Sequence, residues 1–98
     1  MANVAMGSLT VQWDLRIPAL YVYLQDPTHF RAARSKKVGE GVVIDFDTRG
    51  RPIGVEMLGK GSLDVVLKQI VQKYHVPQLR QLESRRDLLR RLLAESPA

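Results

Sequence analysis

Four groups of residues in this chain have types that could carry chemistry, and spacing decides what each can do. Residues 45–56 nearly complete a calcium-binding loop, with Asp45 and Asp47 at positions one and three, Gly50 at six and Glu56 at twelve. Such a loop works by converging its oxygens on one hard cation. Arg49 stands at the fifth position, where an oxygen ligand is needed, and both flanks read as strands rather than helices. In the hairpin register that gathers the apolar side chains on one face, Asp45 faces Pro52 and Glu56 lies four residues further on. That separates the carboxylates by about 13 Å at ~3.3 Å per residue, too far to share an ion.

Residues 54–61 approach a phosphate-binding loop: Gly54 is followed by Gly59 and Lys60 at the right distance, but Gly61 replaces the Ser or Thr that must hold magnesium. Residues 55–58 alternate like a strand, and no second metal-binding strand follows, so nucleotide hydrolysis is not expected. Ser62 opens a helix, which leaves only the general attraction of helix N-termini for anions. His29 and His75 have no visible partners and read as loop and helix-end residues, and nothing resembles a nucleophile elbow. The chain is therefore not expected to be an enzyme, and no catalytic, cofactor-binding or metal-ligating residue is assigned.

The cations form the fourth group. Fifteen Lys and Arg against ten Asp and Glu give a net charge of +5. Arg31, Arg34, Lys36 and Lys37 fall within seven residues, and five arginines lie in residues 78–94. Arg80, Arg85, Arg90 and Arg91 are the candidate phosphate contacts if nucleic acid is the partner. Residues 77–98 nevertheless hold five cations against three anions, a mixed helix face with no recognised binding motif.

These groups sit on one small frame. The 98 residues are 45% apolar and contain no cysteine, which excludes a disulfide scaffold and thiolate metal sites. A chain of this length buries about 60–70% of its unfolded surface, enough for a single core. Residues 1–8 lack a basic start and an apolar run, so no secretory signal is expected, and no apolar run reaches membrane-spanning length. The expectation is a cytoplasmic protein with an N-terminal tail at residues 1–8, the first five of them poorly ordered.

Leu9, Val11, Trp13 and Leu15 alternate with polar residues, predicting a half-buried strand over residues 9–15. Residues 19–25 predict a second, with Leu20, Val22 and Leu24 on one face and Tyr21 and Tyr23 on the other. Residues 26–28 carry a turn signal, and residues 29–40 read as a basic loop or a short edge strand. Residues 41–46 and 51–58 flank a four-residue turn that Asp47 opens and Gly50 closes, so they predict a hairpin. Its preferred register sets Phe46 against Arg51, Ile44 against Ile53, Val42 against Val55 and Glu40 against Met57, gathering the apolar side chains on one face. Pro52 cannot donate to a ladder, so the start of its strand is a poor candidate for pairing on both sides.

Ser62 is the expected N-cap of a helix over residues 62–75. Leu63, Val66, Leu67, Ile70, Val71 and Tyr74 share one face of it, and Pro77 stops it. A second helix over residues 78–94 is rich in leucine. Its leucines spread over half the circumference, with Arg86 inside their arc and Asp87 placed to pair with Arg91.

Trp13-Asp14, Ala19-Leu20-Tyr21-Val22, residues 41–47 (Gly-Val-Val-Ile-Asp-Phe-Asp), Gly50 and Gly54-Val55-Glu56 together resemble the small bacterial family called domain of unknown function 2283. The likeness covers about residues 11–58. Trp13 stands where that pattern has tyrosine and Pro18 where it has an acid, and the Arg-rich second helix is additional to the minimal domain. The resemblance implies a small cytoplasmic β-meander packed on a helix, self-associating and without enzyme activity.

The expectation is thus an α+β fold, an antiparallel four-strand β-meander packed against a helix. It divides into a tail at 1–8, the meander and helix at 9–76, and a C-terminal amphipathic helix at 77–98. A core this thin suggests burying Leu79, Leu82, Leu89 and Leu93 against a second copy, making the protein a homo-oligomer. The alternative is a basic, antitoxin-like regulator that binds nucleic acid; a membrane partner is not expected.

Overall fold

Alternation over residues 9–14 does produce a strand, and its apolar side faces a core. The computed structural model describes residues 2–14, 16–26 and 31–94. In it the chain forms β1 (Ala2–Met6), β2 (Leu9–Asp14), β3 (Ala19–Tyr23), β4 (Arg34–Gly39), β5 (Val42–Phe46) and β6 (Pro52–Leu58). The helical part follows as α1 (Ser62–Val65), a π turn (Val66–Ile70), α2 (Val71–Lys73), a 3-10 segment (Pro77–Arg85) and α3 (Arg86–Ala94). The α+β class is as expected. The sheet, however, has six strands rather than four, in the order β1-β2-β3-β6-β5-β4.

This is not one meander but two. Strands β1 to β3 and β4 to β6 each run through adjacent antiparallel neighbours, and β3 joins β6 at the centre. The expected N-terminal tail contains β1, which pairs with β2 from Ala2↔Trp13 to Met6↔Leu9 across the turn Gly7-Ser8. Gly7 has φ 60 at the first turn position, the requirement of a type II′ hairpin turn that only glycine meets cheaply. The basic stretch resolves into β4, an edge strand. Leu15, residues 27–30 with His29 and the end of the turn signal, and Glu95 lie outside the described residues.

The β5–β6 hairpin departs from its expected register. The turn forms as read, with the Gly50 N–H donating to the Asp47 carbonyl at 3.0 Å. The Asp47 N–H, however, donates to the Arg51 carbonyl while the Arg51 N–H donates to the Asp47 carboxylate, and Ile53 is extra between Phe46↔Pro52 and Asp45↔Gly54. The combined shift is two residues, so Ile44 faces Val55 and Val42 faces Met57. Because strand faces repeat every two residues, the same side chains still reach the core. Pro52 pairs with β5 alone, and β3 takes up β6 only from Gly54.

One row of valines and isoleucine, Val11, Val22, Val55 and Ile44, crosses four strands with no exposed surface. The helical layer closes over it with Leu63, Val66, Ile70, Leu79, Leu82, Leu89 and Leu93. Ser62 is not the N-cap: Gly61 fills that position at φ 93, and the buried Ser62 hydroxyl donates to the Gly59 carbonyl at 2.8 Å. The helix ends where Tyr74 leaves helical geometry and His75 takes φ 55.

The second helix is split. Its first nine residues wind as a 3-10 helix, where residues three apart eclipse, so Leu79 and Leu82 stack in one direction. In α3 the buried pair is Leu89 and Leu93, four apart as an α-helix requires. Read as one uniform helix, those leucines seem to scatter; read with the change of winding, they form one inward line. Arg86 accordingly lies exposed at the junction rather than inside the leucine arc.

Candidate functional site

The side chains expected to form an oligomer interface are inside the molecule. Leu79, Leu82 and Leu89 have no exposed surface and Leu93 has 2%, all against this chain's own sheet and first helix. They cannot meet a second copy while the segment stays docked. A pair of hydrogen bonds pins it: Gln81 accepts from the Ser8 N–H and donates to the Ser8 hydroxyl, both at 2.9 Å. The thin-core premise fails because these leucines themselves complete the core between the sheet and the helices.

Two carboxylates of the calcium pattern, Asp45 and Asp47, are engaged elsewhere. Asp45 Oδ2 accepts the Tyr21 hydroxyl at 2.6 Å and its Oδ1 accepts the Ser35 hydroxyl. Asp47 Oδ1 accepts the backbone N–H groups of Arg49 and Arg51, and Oδ2 pairs with the Arg51 guanidinium at 2.8 Å. The Arg51 backbone bond chiefly, with the guanidinium beside it, holds the Asp47 carboxyl below the usual carboxylate range. With the true register, Glu56 sits two places from the partner of Asp45, about 7 Å along the strand at ~3.3 Å per residue, rather than four. Asp45 and Asp47 are nevertheless already committed to Tyr21, Ser35 and the turn. Among the described residues no three His, Cys, Asp or Glu gather as a metal would need.

On the sheet face away from the helices, two cross-strand rows lie side by side. Thr10, Tyr23, Gly54, Asp45 and Ser35 form one; Gln12, Tyr21, Glu56, Val43 and Lys37 form the other. Tyr21 leans out of its row and across Gly54: a Cβ at Gly54 would lie 1.9 Å from the Tyr21 hydroxyl. Glycine is required there because the ring occupies the space. The rings of Tyr21 and Tyr23 are 4.8 Å apart, and the Tyr23 hydroxyl reaches Gln12 at 3.3 Å. Burial first, then the bond to Asp45, raises the Tyr21 phenol well above its ordinary range. This is a rigid, half-buried polar platform, and its proton is held rather than offered.

The four arginines singled out from the sequence are divided between two places. Arg80 pairs with Glu83 at 3.2 Å, and Arg80 and Arg85 flank a hollow beside the β1–β2 turn. Arg90 pairs with Asp64 at 2.6 Å, and Arg90 and Arg91 flank a groove of about 510 Å³ between α1 and α3. Lys60 also lines that groove, and Lys68 and Arg86 act on Asp64; these three are not among the candidate nucleic-acid contacts read from the sequence. The bond from Arg90, with the charges of Arg90, Lys68 and Arg86, depresses the Asp64 carboxyl. Helix spacing alone could not show them as one group, because they converge only when α3 packs on α1.

The edges of the sheet differ. Strand β4 carries Arg34, Lys36 and Lys37 and shifts register between Lys37 and Gly39, and Arg34 stacks over the Phe46 ring at 5.3 Å. Charge and a bulge are the ordinary means of keeping an edge from pairing. Strand β1, Ala-Asn-Val-Ala-Met, has no charge, no proline and an unbroken register, and Val4 is 37% exposed. Its outer hydrogen-bonding groups face no strand among the described residues.

The molecule is thus an α+β protein with a six-stranded antiparallel sheet that, among the described residues, is open on one face and uncovered at the β1 edge. No described helix is long and apolar enough to cross a membrane. Residues 11–59, from within β2 to the end of β6, match the family described as "Protein of unknown function (DUF2283)", and the chain belongs to it. The matched segment contains Tyr21, Asp45, Asp47, Gly50, Gly54 and Glu56, so it includes the platform and the turn but neither β1 nor the helical layer. No curated protein and no solved structure matches the chain.

Proposed function

We propose that this chain is a non-enzymatic interaction protein that pairs with a second copy of itself through the outer edge of β1. The observation that carries this reading is the contrast between the edges: β4 has three cations and a bulge, β1 has neither. Two β4 edges would bring like charges together, and β1 against β4 would leave free edges that keep adding copies. β1 against β1 closes by a two-fold axis without that repulsion, and it leaves the charged edges outermost. The carboxylates and tyrosine nearest to chemistry are fixed in structural bonds, which supports a role in binding rather than turnover.

Sedimentation equilibrium across the micromolar range tests the proposal. A five-residue edge makes a small interface, so a dimer constant of about 1–100 μM is expected. Asn3→Lys with Ala5→Lys, both on exposed positions of β1, should give a monomer with an unchanged circular dichroism spectrum. A monomer at every concentration, or a dimer that survives this variant, overturns the proposal.

A further inference from the structure

The charge of this protein is sorted by layer. Residues 62–94 carry seven cations against three anions, and all seven cations are exposed. Residues 2–61 carry eight against six. Within the helical layer, Lys68, Arg86 and Arg90 converge on the single carboxylate of Asp64, and Lys60 and Arg91 flank the adjoining groove. Of these, Lys60, Lys68, Arg86 and Arg91 have no ion-pair partner among the described residues. The opposite face of the sheet presents Asp45 and Glu56 beside its tyrosines.

Antiparallel pairing of two β1 edges has a two-fold axis normal to the sheet, which puts both helical layers on the same side. One face of the dimer would then hold fourteen cations against six anions, twice the count in one layer. We infer that this face binds duplex nucleic acid through its phosphates; the doubling of the site rests on the dimer proposed above. Five of the seven cations are arginine, the side chain whose planar fork matches phosphate. A protein partner would need apolar anchors, and Leu88 is the one large exposed hydrophobic residue among those described in this layer. Phosphate contact needs only exposed cations and is read without sequence preference.

Fluorescence anisotropy of the full chain with a labelled duplex of about two helical turns, in stepped salt, tests the inference. The wild-type chain should bind, with log affinity falling linearly against log salt. Arg86→Glu with Arg91→Glu should weaken binding at least tenfold while the sedimentation mass stays that of the dimer. Asn3→Lys with Ala5→Lys should halve the salt slope, although it adds two cations, because they lie on the other face. Absence of binding at low salt, unchanged affinity in the arginine variant, or binding to poly-glutamate in preference to the duplex overturns the inference whatever the mass. An unchanged slope in the β1 variant overturns the two-layer platform, while the mass of that variant scores the dimer separately.

Discussion

At the scale of single residues, the family pattern has a physical reading. Tyr21 crosses Gly54 to reach Asp45, which also takes the Ser35 hydroxyl, so a residue from each of β3, β6, β5 and β4 closes one unit. Gly54→Ala must push the ring aside, at a cost of about 1–3 kcal/mol for overpacking; urea unfolding measures it, and the Tyr21–Asp45 bond should be lost. The raised Tyr21 pKa has a definite sign. Its contribution to stability is complete below the ordinary phenol value near 10 and is lost as pH rises above it. Following the Tyr21 ring by NMR, Asp45→Asn should bring ionisation to lower pH, though not fully to the ordinary value, because burial is the larger cause. The turn residues Asp47 and Gly50 were legible in the sequence because turn chemistry is local. The Tyr21 bond was not, because it depends on a cross-strand register that two inserted residues displaced.

At the scale of elements, legibility followed contact range. Strands β2, β3, β5 and β6 and the first helix show in their periodicity, since each buries one regular face. Strand β1 was missed because an edge strand buries little and its five residues barely alternate; the Gly7-Ser8 pair was the available signal. The leucines of the last segment were correctly read as buried and wrongly assigned to a partner, because a uniform helical step hides the change from 3-10 to α winding. Leu89→Ala therefore should cost about 2–5 kcal/mol, the range for opening a cavity in a packed core. Leu88→Ala, one residue away and 37% exposed, should cost about 0.5 kcal/mol or less. Urea melts of the two variants decide between core and interface, and a Leu89→Ala chain that keeps its stability but loses its dimer would contradict the core assignment.

At the scale of the whole molecule, the radius of gyration of 12.5 Å is what roughly 100 residues should have when folded alone, about 13 Å. Self-association is thus not demanded by a missing core, the reason the sequence suggested; it is argued instead from one sheet edge left open where the other is closed by charge. Net charge, uninformative as a total, becomes informative once the layers are known, because its excess lies mainly on the helices. The self-association and the doubling of the cationic face both depend on β1, so its backbone is the place to look. Amide hydrogen exchange of residues 2–6, measured by NMR at several protein concentrations, tests the claim most directly. The outward-facing amides of β1 should gain protection as concentration rises while those of β4 do not. Protection of β1 that stays constant with concentration, or rises in β4 or α3 instead, would contradict the account.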